Sequence, residues 1–219
     1  MKFTPTILHS ATDPGTRLRR IESQPHDSKT EEWLQELLYR HPGLLPVDAF
    51  DELYWPPVPV GREVSTARGP IDNLYVSPFG GITVVETKLW KNPEKHRTVV
   101  AQIIDYAKEV ATWDYNDLCE AVIASSRKRK EATTVSLEEK LVPLLGPHSL
   151  NVQEFQERVV TNLKEGNFLL LIVGDRISPN VALLAEAIQS APGLGFTGCG
   201  HVIPGITRPF HRISPLMQG

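Results

Sequence analysis

The spacing of apolar residues along the chain changes several times, and each change predicts a new element. The first clear pattern is TEEWLQELLYRHPG, residues 30–43, in which Leu34, Leu37 and Leu38 have the spacing of a helix with one buried face. Thr30 suits the N-cap, acidic residues fill the first turn, and the Pro-Gly pair at 42–43 ends the pattern. We therefore predict a helix that starts after Thr30 and stops before Pro42.

Three strand candidates rich in β-branched residues follow this helix. They are centred on Val58–Val64, on IDNLYVS from Ile71 and on ITVVETKL from Ile82. Between the second and third candidates, the sequence PFGG at residues 78–81 has the composition of a tight turn. These two strands are therefore predicted to pair as an antiparallel hairpin.

The rest of the chain predicts further helices and one fully buried strand. Helical spacing runs from about Pro93 to Trp113. Within residues 114–167 we interpret NDLCEAVIA as a short helix, SSRKRKEATT as a solvated loop and VQEFQERVVTNLKEG as a helix ending at Gly166. FLLLIVGD is apolar almost throughout and predicts a buried strand, VALLAEAIQS predicts a helix, and FTGCGHVI predicts a last strand.

The order of these elements predicts an α/β fold in which helices flank a mixed central sheet that contains the antiparallel hairpin. The 219 residues suffice for one large domain with its own core. We expect residues 1–29 to form a partly ordered arm in which TRLRRIE adds a short edge strand. Residues 30–205 are expected to form the domain, with a helical insertion near 114–166, and residues 206–219 a tail.

The hairpin carries charged residues where a buried sheet would exclude them. In ITVVETKLW, alternation puts Glu86 and Lys88 on the same face as Ile82 and Val84, and in the preceding strand it puts Asp72 among apolar positions. Two carboxylates on adjacent strands can hold a hard divalent cation such as Mg²⁺. A lysine beside them can orient or deprotonate a metal-activated water, or neutralise charge on a phosphoryl oxygen.

Two helices add polar side chains on inward-facing stripes. Gln102 and Tyr106 are four residues apart on the apolar face of the long helix, and a buried amide there needs a partner. Glu31 lies on the inward stripe of the first helix, whereas Glu32 does not. Taken singly, each of these residues has an ordinary structural explanation, so only their combination indicates a metal site.

In combination, the pattern of Asp72, Glu86-Thr-Lys88 and Gln102-x-x-x-Tyr106 resembles the PD-(D/E)XK nuclease superfamily, and the QxxxY element resembles its RecB-like branch. The segments TEEWLQELLYRHPGLLP, GPIDNL, VETKLWKNPE, QIIDYAKE and FLLLIVGD are also similar to a group of uncharacterised bacterial proteins of that superfamily. The resemblance covers about residues 18–196. It implies a restriction-endonuclease-like three-layer sandwich.

The resemblance also implies roles for individual residues. Asp72 and Glu86 would be metal ligands, helped by the carbonyl of Thr87, and Lys88 would be the catalytic lysine. The residues that would support this site are Gln102, Tyr106 and Glu31. Basic residues that follow the motif strand would contact the nucleic-acid backbone, namely Lys91, Lys95 and Arg97.

Composition limits the class of protein without identifying it. A net charge of −3 and a pI of about 6.2 argue against a surface coated in positive charge for nonspecific nucleic-acid binding, although a local basic groove remains compatible. Two cysteines cannot make a disulfide framework, and no CxxC or Cys/His cluster indicates a zinc site. With no apolar run approaching 18 residues, we expect no membrane partner and a cytoplasmic location.

The expected function is hydrolysis of phosphodiester bonds in nucleic acid, most readily DNA, with Mg²⁺ or Mn²⁺ as cofactor. One alternative is a catalytically silent nuclease-fold module that binds nucleic acid or a protein partner in a repair or defence assembly. A weaker alternative is hydrolysis of small phosphorylated nucleotides, which no P-loop or Rossmann glycine pattern supports. A homodimer would suit an enzyme that cuts both strands, but no residue specifies it.

Overall fold

A computed structural model describes residues 6–7, 16–17, 30–89, 96–129, 135–145, 150–174 and 196–202. The strands are β1 (Thr6–Ile7), β2 (Thr16–Arg17), β3 (Val58–Thr66), β4 (Gly69–Val76), β5 (Ile82–Lys88), β6 (Phe168–Gly174) and β7 (Phe196–Val202). The helices are α1 (Glu31–Arg40), α2 (His96–Val110), α3 (Tyr115–Lys128), α4 (Leu137–Leu141) and α5 (Val152–Glu165).

The central sheet is mixed, as the order of elements predicted. Its five described strands lie in the order β3-β4-β5-β6-β7. The pairs β3–β4 and β4–β5 are antiparallel, whereas β5–β6 and β6–β7 are parallel. The predicted hairpin between β4 and β5 is confirmed, and its turn is closed by a hydrogen bond from the Ser77 amide to the Gly81 carbonyl, with Gly80 at a φ of +82°.

Each face of the sheet is covered by its own apolar core, so helices flank the sheet on both sides. On one face, Tyr75, Val85 and Leu171 pack against Leu34 and Leu38 of α1. The larger core on the other face joins β3–β6 to four helices; its members include Leu74, Val84, Ile103 of α2, Leu118 of α3, Leu141 of α4 and Phe155 of α5. This two-sided burial explains why β6 is apolar along its whole length.

Most helix boundaries follow the local sequence signals. The side chain of Thr30 accepts a hydrogen bond from the Trp33 amide, which confirms it as the N-cap of α1. Gly166 ends α5 in the left-handed conformation, with a φ of +65°. No helix in the described ranges is long and apolar enough to cross a membrane.

The interpretation of SSRKRKEATT as a solvated loop is wrong for its first half. Helix α3 is longer than predicted and runs through Lys128, with Ser125 and Ser126 buried against the sheet. The Ser125 hydroxyl accepts a hydrogen bond from the Arg62 amide at 3.0 Å and donates one to the Arg62 carbonyl at 2.7 Å. Because this hydroxyl satisfies the free edge of β3, a polar residue is stabilised in a buried turn of helix.

The N-terminal arm also differs from its prediction. Thr16–Arg17, within the segment predicted as an edge strand, pairs with Thr6–Ile7 in a separate two-stranded sheet. The predicted last strand is confirmed as β7. Several predictions fall outside the described residues, namely the helix VALLAEAIQS, the start of the long helix at 93–95 and the tail at 206–219.

Candidate active site

The antiparallel ladder between β4 and β5 ends where the two candidate carboxylates begin. The last pair is Asn73 with Val85, so the next position sets Asp72 opposite Glu86. Beyond that pair, Oδ2 of Asp72 accepts hydrogen bonds from the Thr87 amide at 2.7 Å and the Thr87 hydroxyl at 2.6 Å. A side-chain acceptor thus replaces the backbone acceptor that a continued ladder would supply, and the two strands separate around the site.

The position of the Asp72 carboxylate corrects the simple alternation of faces. Alternation placed Asp72 on the side of Leu74, which packs in the larger core. Instead, Oδ1 of Asp72 accepts a hydrogen bond at 2.8 Å from Gln35 of α1, the helix on the opposite face. This hydrogen bond is made at the position where the β4–β5 ladder has already ended.

Glu86 is the most unusual polar side chain of the site. It is only 4% exposed, and its Oε2 atom has no hydrogen-bond partner among the described residues. Burial, followed by the charge of Asp72, raises the pKa of Glu86 to about 9, against a partial lowering by Lys88. A buried carboxylate with an unpaired oxygen destabilises a fold unless a proton or a cation compensates it.

The pKa of Asp72 is raised less, to about 6. Burial is the main cause, and the two hydrogen bonds from Thr87 oppose it by stabilising the charged form. Oδ2 accepts both of these bonds, whereas Oδ1 accepts a hydrogen bond from Gln35, and a carboxylate oxygen has two lone pairs. Asp72 therefore retains acceptor capacity on Oδ1 for a cation.

Lys88 and Glu31 form an ion pair across the edge of the site. The Lys88 Nζ atom lies 2.5 Å from Glu31 Oε1, and that same oxygen accepts the Leu89 amide at 3.2 Å. The Lys88 side chain is 25% exposed, so its ammonium lies at the boundary between the buried carboxylates and solvent. The charge of Glu31 also contributes to the raised pKa values of Asp72 and Glu86, which locates it within electrostatic reach of both.

Gln102 and Tyr106 belong to α2 four residues apart, the spacing from which a shared face was predicted, and the structure shows that they contact each other. The Gln102 Nε2 atom donates to the Tyr106 hydroxyl at 2.7 Å, and Tyr106 is 1% exposed. Burial raises the pKa of Tyr106, and the charges of Glu86 and Asp72 add to this effect. A Cβ atom at Gly69, at the start of β4, would lie 3.3 Å from the Tyr106 hydroxyl, so the phenol lies directly under this strand.

Two residues of this region were missed in the sequence. Gln35 donates to Asp72, and its backbone carbonyl accepts from Asn73 Nδ2 at 3.1 Å, which ties α1 to β4. Glu63 of β3 contributes to the raised pKa values of Asp72, Glu86 and Tyr106. Gln35 follows Leu34 on the inward side of α1 and was open to prediction from helical spacing, whereas no periodicity indicated Glu63.

The predicted phosphate contacts are not tested by the structure. Lys91 and Lys95 lie outside the described residues, and Arg97 belongs to α2 but its side chain is not among those described. The basic run at the end of α3 is partly engaged within the protein. Arg129 lies 3.2 Å from Glu36 Oε2 and over the ring of Tyr39 at 4.0 Å.

The donor set suits a hard divalent cation, with one restriction. Glu86 supplies an unpaired buried oxygen, Asp72 has acceptor capacity, and the Thr87 carbonyl belongs to the same strand end, all of them oxygen donors. However, no group of three or more His, Cys, Asp or Glu side chains in the described ranges is arranged to hold a metal ion. The two carboxylates would therefore depend on backbone oxygen and on water to complete a coordination shell, as Mg²⁺ commonly does.

Comparison with known proteins returned no relative for this chain. No protein-family model, curated protein or solved structure matches it.

Proposed function

We propose that the protein is a Mg²⁺- or Mn²⁺-dependent nuclease with a restriction-endonuclease-like fold, similar to the PD-(D/E)XK superfamily, and that its substrate is DNA. The proposal is carried by Glu86, a 4% exposed carboxylate that lies beside a second buried carboxylate and whose Oε2 atom has no hydrogen-bond partner in the described ranges. A bound divalent cation would compensate both charges, because hard cations prefer carboxylate oxygens. The mixed sheet with helices on both faces is compatible with this fold.

Asp72 and Glu86, with the Thr87 carbonyl, are the residues that would hold the cation. When bound, such a cation lowers the pKa of an attacking water and stabilises charge on a phosphoryl oxygen. Thr87 positions Asp72 through two hydrogen bonds, so the strand end is preorganised before any ligand arrives.

Lys88 and Glu31 define the solvent-facing side of the proposed site. The 2.5 Å contact with Glu31 orients the Lys88 ammonium, which can neutralise charge that develops on a phosphoryl group or assist the attacking water. Tyr106, held by Gln102, supports the floor of the site beneath β4. Among the described residues of this arrangement, Lys88 is the cation whose removal should lower turnover without removing the metal ligands.

An alternative is a silent module that retains the fold without turnover. Two observations favour it: Asp72 already accepts three hydrogen bonds, and Lys88 already pairs with Glu31. Such a module would bind nucleic acid or a protein partner without requiring a cation at Glu86. The two proposals therefore differ in metal binding as well as in catalysis.

The test combines cleavage with metal binding. Wild-type protein with Mg²⁺ or Mn²⁺ is incubated with linear, nicked, branched and single-stranded DNA, and with RNA, alongside Lys88→Ala. We expect wild type to cut at least one DNA form and Lys88→Ala to lose activity by about a hundredfold or more, because one charge-stabilising group is typically worth that much. Lys164→Ala, in the exposed end of α5, is the matched control and should cut like wild type.

Calorimetric titration with Mn²⁺ separates the nuclease from the silent module. A nuclease should bind Mn²⁺, and Asp72→Ala or Glu86→Gln should abolish that binding. A protein that binds DNA but neither binds Mn²⁺ nor cuts any substrate would favour the silent module. Equal cleavage by wild type and Lys88→Ala would contradict the assigned role of the lysine.

A further inference from the structure

Glu63 has a backbone conformation that a strand residue normally avoids. Its φ is +53°, and it is the one non-glycine residue with a positive φ in the described part of the chain. Residues other than glycine are disfavoured in this left-handed region because their Cβ atom approaches the backbone too closely. A glutamate is therefore held here at an energetic cost, and such costs are found where neighbouring contacts fix the conformation.

Helix α3 supplies those contacts. The Ser125 hydroxyl binds both the amide and the carbonyl of Arg62, the residue before Glu63. One turn later, Lys128 Nζ donates to the Glu63 carbonyl at 3.4 Å and lies 4.0 Å from Glu63 Oε2. Because the strand edge is held on both sides of the Arg62–Glu63 peptide, the left-handed conformation is a built feature of the β3–α3 contact.

The register of the sheet aligns Glu63 with the candidate metal ligands. In the β3–β4 ladder Arg62 pairs with Asn73, and Val64 pairs with Ile71. Glu63 therefore stands opposite Asp72. On the other edge of β4, Asp72 stands opposite Glu86, one position beyond the last ladder pair. Three carboxylates therefore occupy neighbouring positions across three adjacent strands.

We propose that Glu63 is a third acidic residue of the divalent-cation site and acts on the cation through its bound water. This inference rests on the proposed function, and it extends it to a residue outside the sequence resemblance. A second indication of a ligand at this strand end is the Oε2 atom of the buried Glu86, which has no hydrogen-bond partner among the described residues.

Contact through water, rather than direct coordination, follows from two observations. Within the described ranges, no three acidic or imidazole side chains are close enough to share a metal ion. The Glu63 side chain is also 35% exposed, so solvent reaches it. Mg²⁺ keeps several of its waters when it is bound by one or two carboxylates, and an outer carboxylate can accept hydrogen bonds from them.

The test uses two variants that separate the charge of Glu63 from its backbone conformation. Glu63→Gln removes the charge and keeps the strained φ, whereas Glu63→Gly removes both. Mn²⁺ affinity is measured by calorimetry and the melting temperature is measured in chelator. Glu120→Gln, in the exposed middle of α3, is the control for loss of one negative charge.

We expect both Glu63 variants to bind Mn²⁺ about tenfold or more weakly than wild type, as for other residues that orient metal ligands or their waters. Glu120→Gln should bind like wild type. Glu63→Gly should melt about 2–4 °C above Glu63→Gln, because glycine relieves the left-handed conformation. A residue selected only to stabilise β3 would not combine weaker metal binding with a more stable fold.

The outcomes distinguish this inference from the proposed function. Wild-type affinity in Glu63→Gln, together with loss of binding in Asp72→Ala, would overturn the role of Glu63 and leave the two-carboxylate site standing. Equally weakened Mn²⁺ binding in Glu63→Gln and Glu120→Gln would mean that only net charge matters, and it would also overturn the role of Glu63. Failure of wild type to bind Mn²⁺ would overturn both proposals.

Discussion

Replacing Glu86 with glutamine should stabilise the metal-free protein, and the gain should grow with pH. In the unfolded chain a glutamate titrates near its ordinary pKa of 4.5, whereas burial and the neighbouring Asp72 raise the pKa of Glu86 in the folded protein to about 9. Between these two values the folded state holds a proton that the unfolded state has released. The free energy of unfolding of wild type therefore falls as pH rises through this window, by about 1.4 kcal/mol per pH unit from this group alone.

The glutamine variant lacks this proton and therefore lacks this dependence. Because Glu86 is protonated and neutral in the folded protein below pH 9, glutamine should leave the electrostatic environment of Asp72 unchanged. Other titrating groups then contribute equally to both proteins and cancel in the comparison. Between pH 5.5 and 7.5 the advantage of Glu86→Gln should grow by about 3 kcal/mol, a large part of the roughly 5–15 kcal/mol that stabilises a typical domain.

Urea denaturation in chelator, at half-unit steps from pH 5.5 to 7.5, measures this difference directly. Parallel curves for wild type and Glu86→Gln would refute the reasoning, since they would mean that Glu86 is solvated or already compensated. A divalent cation should offset most of this growth, because it binds the ionised carboxylate of wild type and adds about 2.7 kcal/mol to its stability at a concentration 100 times the Kd. Glu120→Gln should follow the wild-type pH dependence throughout.

Two further predictions concern the framework around the site. Burial raises the pKa of Glu36, but hydrogen bonding and the charges of three arginines outweigh it and leave the pKa lowered. Glu36→Gln should therefore lower the free energy of unfolding by about 1–2 kcal/mol at pH 7, as measured by urea denaturation. This loss should disappear as pH falls well below 4.5, because Glu36 is then protonated in wild type as well. Gly81→Ala should cost about 1–3 kcal/mol because its Cβ would lie 2.5 Å from the Leu53 carbonyl oxygen, whereas Gly43→Ala, in open space, should change stability by less than about 0.5 kcal/mol. Equal stability of the two alanine variants would contradict the packing of the β4–β5 turn.

The hairpin and the buried strand were predictable because their signals are local. The PFGG turn lies between two β-branched runs, and β6 is apolar along nearly all of its length, so neither element depends on distant contacts for its identity. The same holds for the start of α1, where Thr30 caps the helix, and for the end of α5 at Gly166. At these positions the local preference of the residue types and their packing in the fold favour the same structure.

Helix α3 was mispredicted because its C-terminal half is stabilised by tertiary contacts. Serines and a run of basic residues favour a solvated loop when they are judged alone. In the folded protein, Ser125 satisfies the edge of β3 and Arg129 lies between Glu36 and Tyr39. Neither partner is near in sequence, so no local pattern could have indicated them.

The candidate site was predictable only in part, because some of its contacts are local to the hairpin and others depend on distant elements. Asp72, Glu86 and Lys88 lie on paired strands, so their proximity follows from the hairpin once the register is known. The direction of the Asp72 carboxylate was not predictable, because it depends on where the ladder stops and on Gln35 of α1. The role of Glu63 was not predictable, because Glu63 itself has a left-handed backbone conformation inside a strand, and glutamate as a residue type does not predict this conformation.

These departures from regular structure converge on one end of the sheet, and together they argue for a ligand. The ladder stops early, Glu63 is held in a disfavoured conformation, and Glu86 is buried with an unpaired oxygen. Each feature lowers the stability of the metal-free protein, and the proton that Glu86 must hold at neutral pH lowers it further. A cation among these oxygens would replace that proton and give the Oε2 atom of Glu86 a partner at once, whereas apolar residues at the same positions would avoid the cost without binding anything. The energetic cost at this end of the sheet is therefore the strongest physical reason to look for metal there.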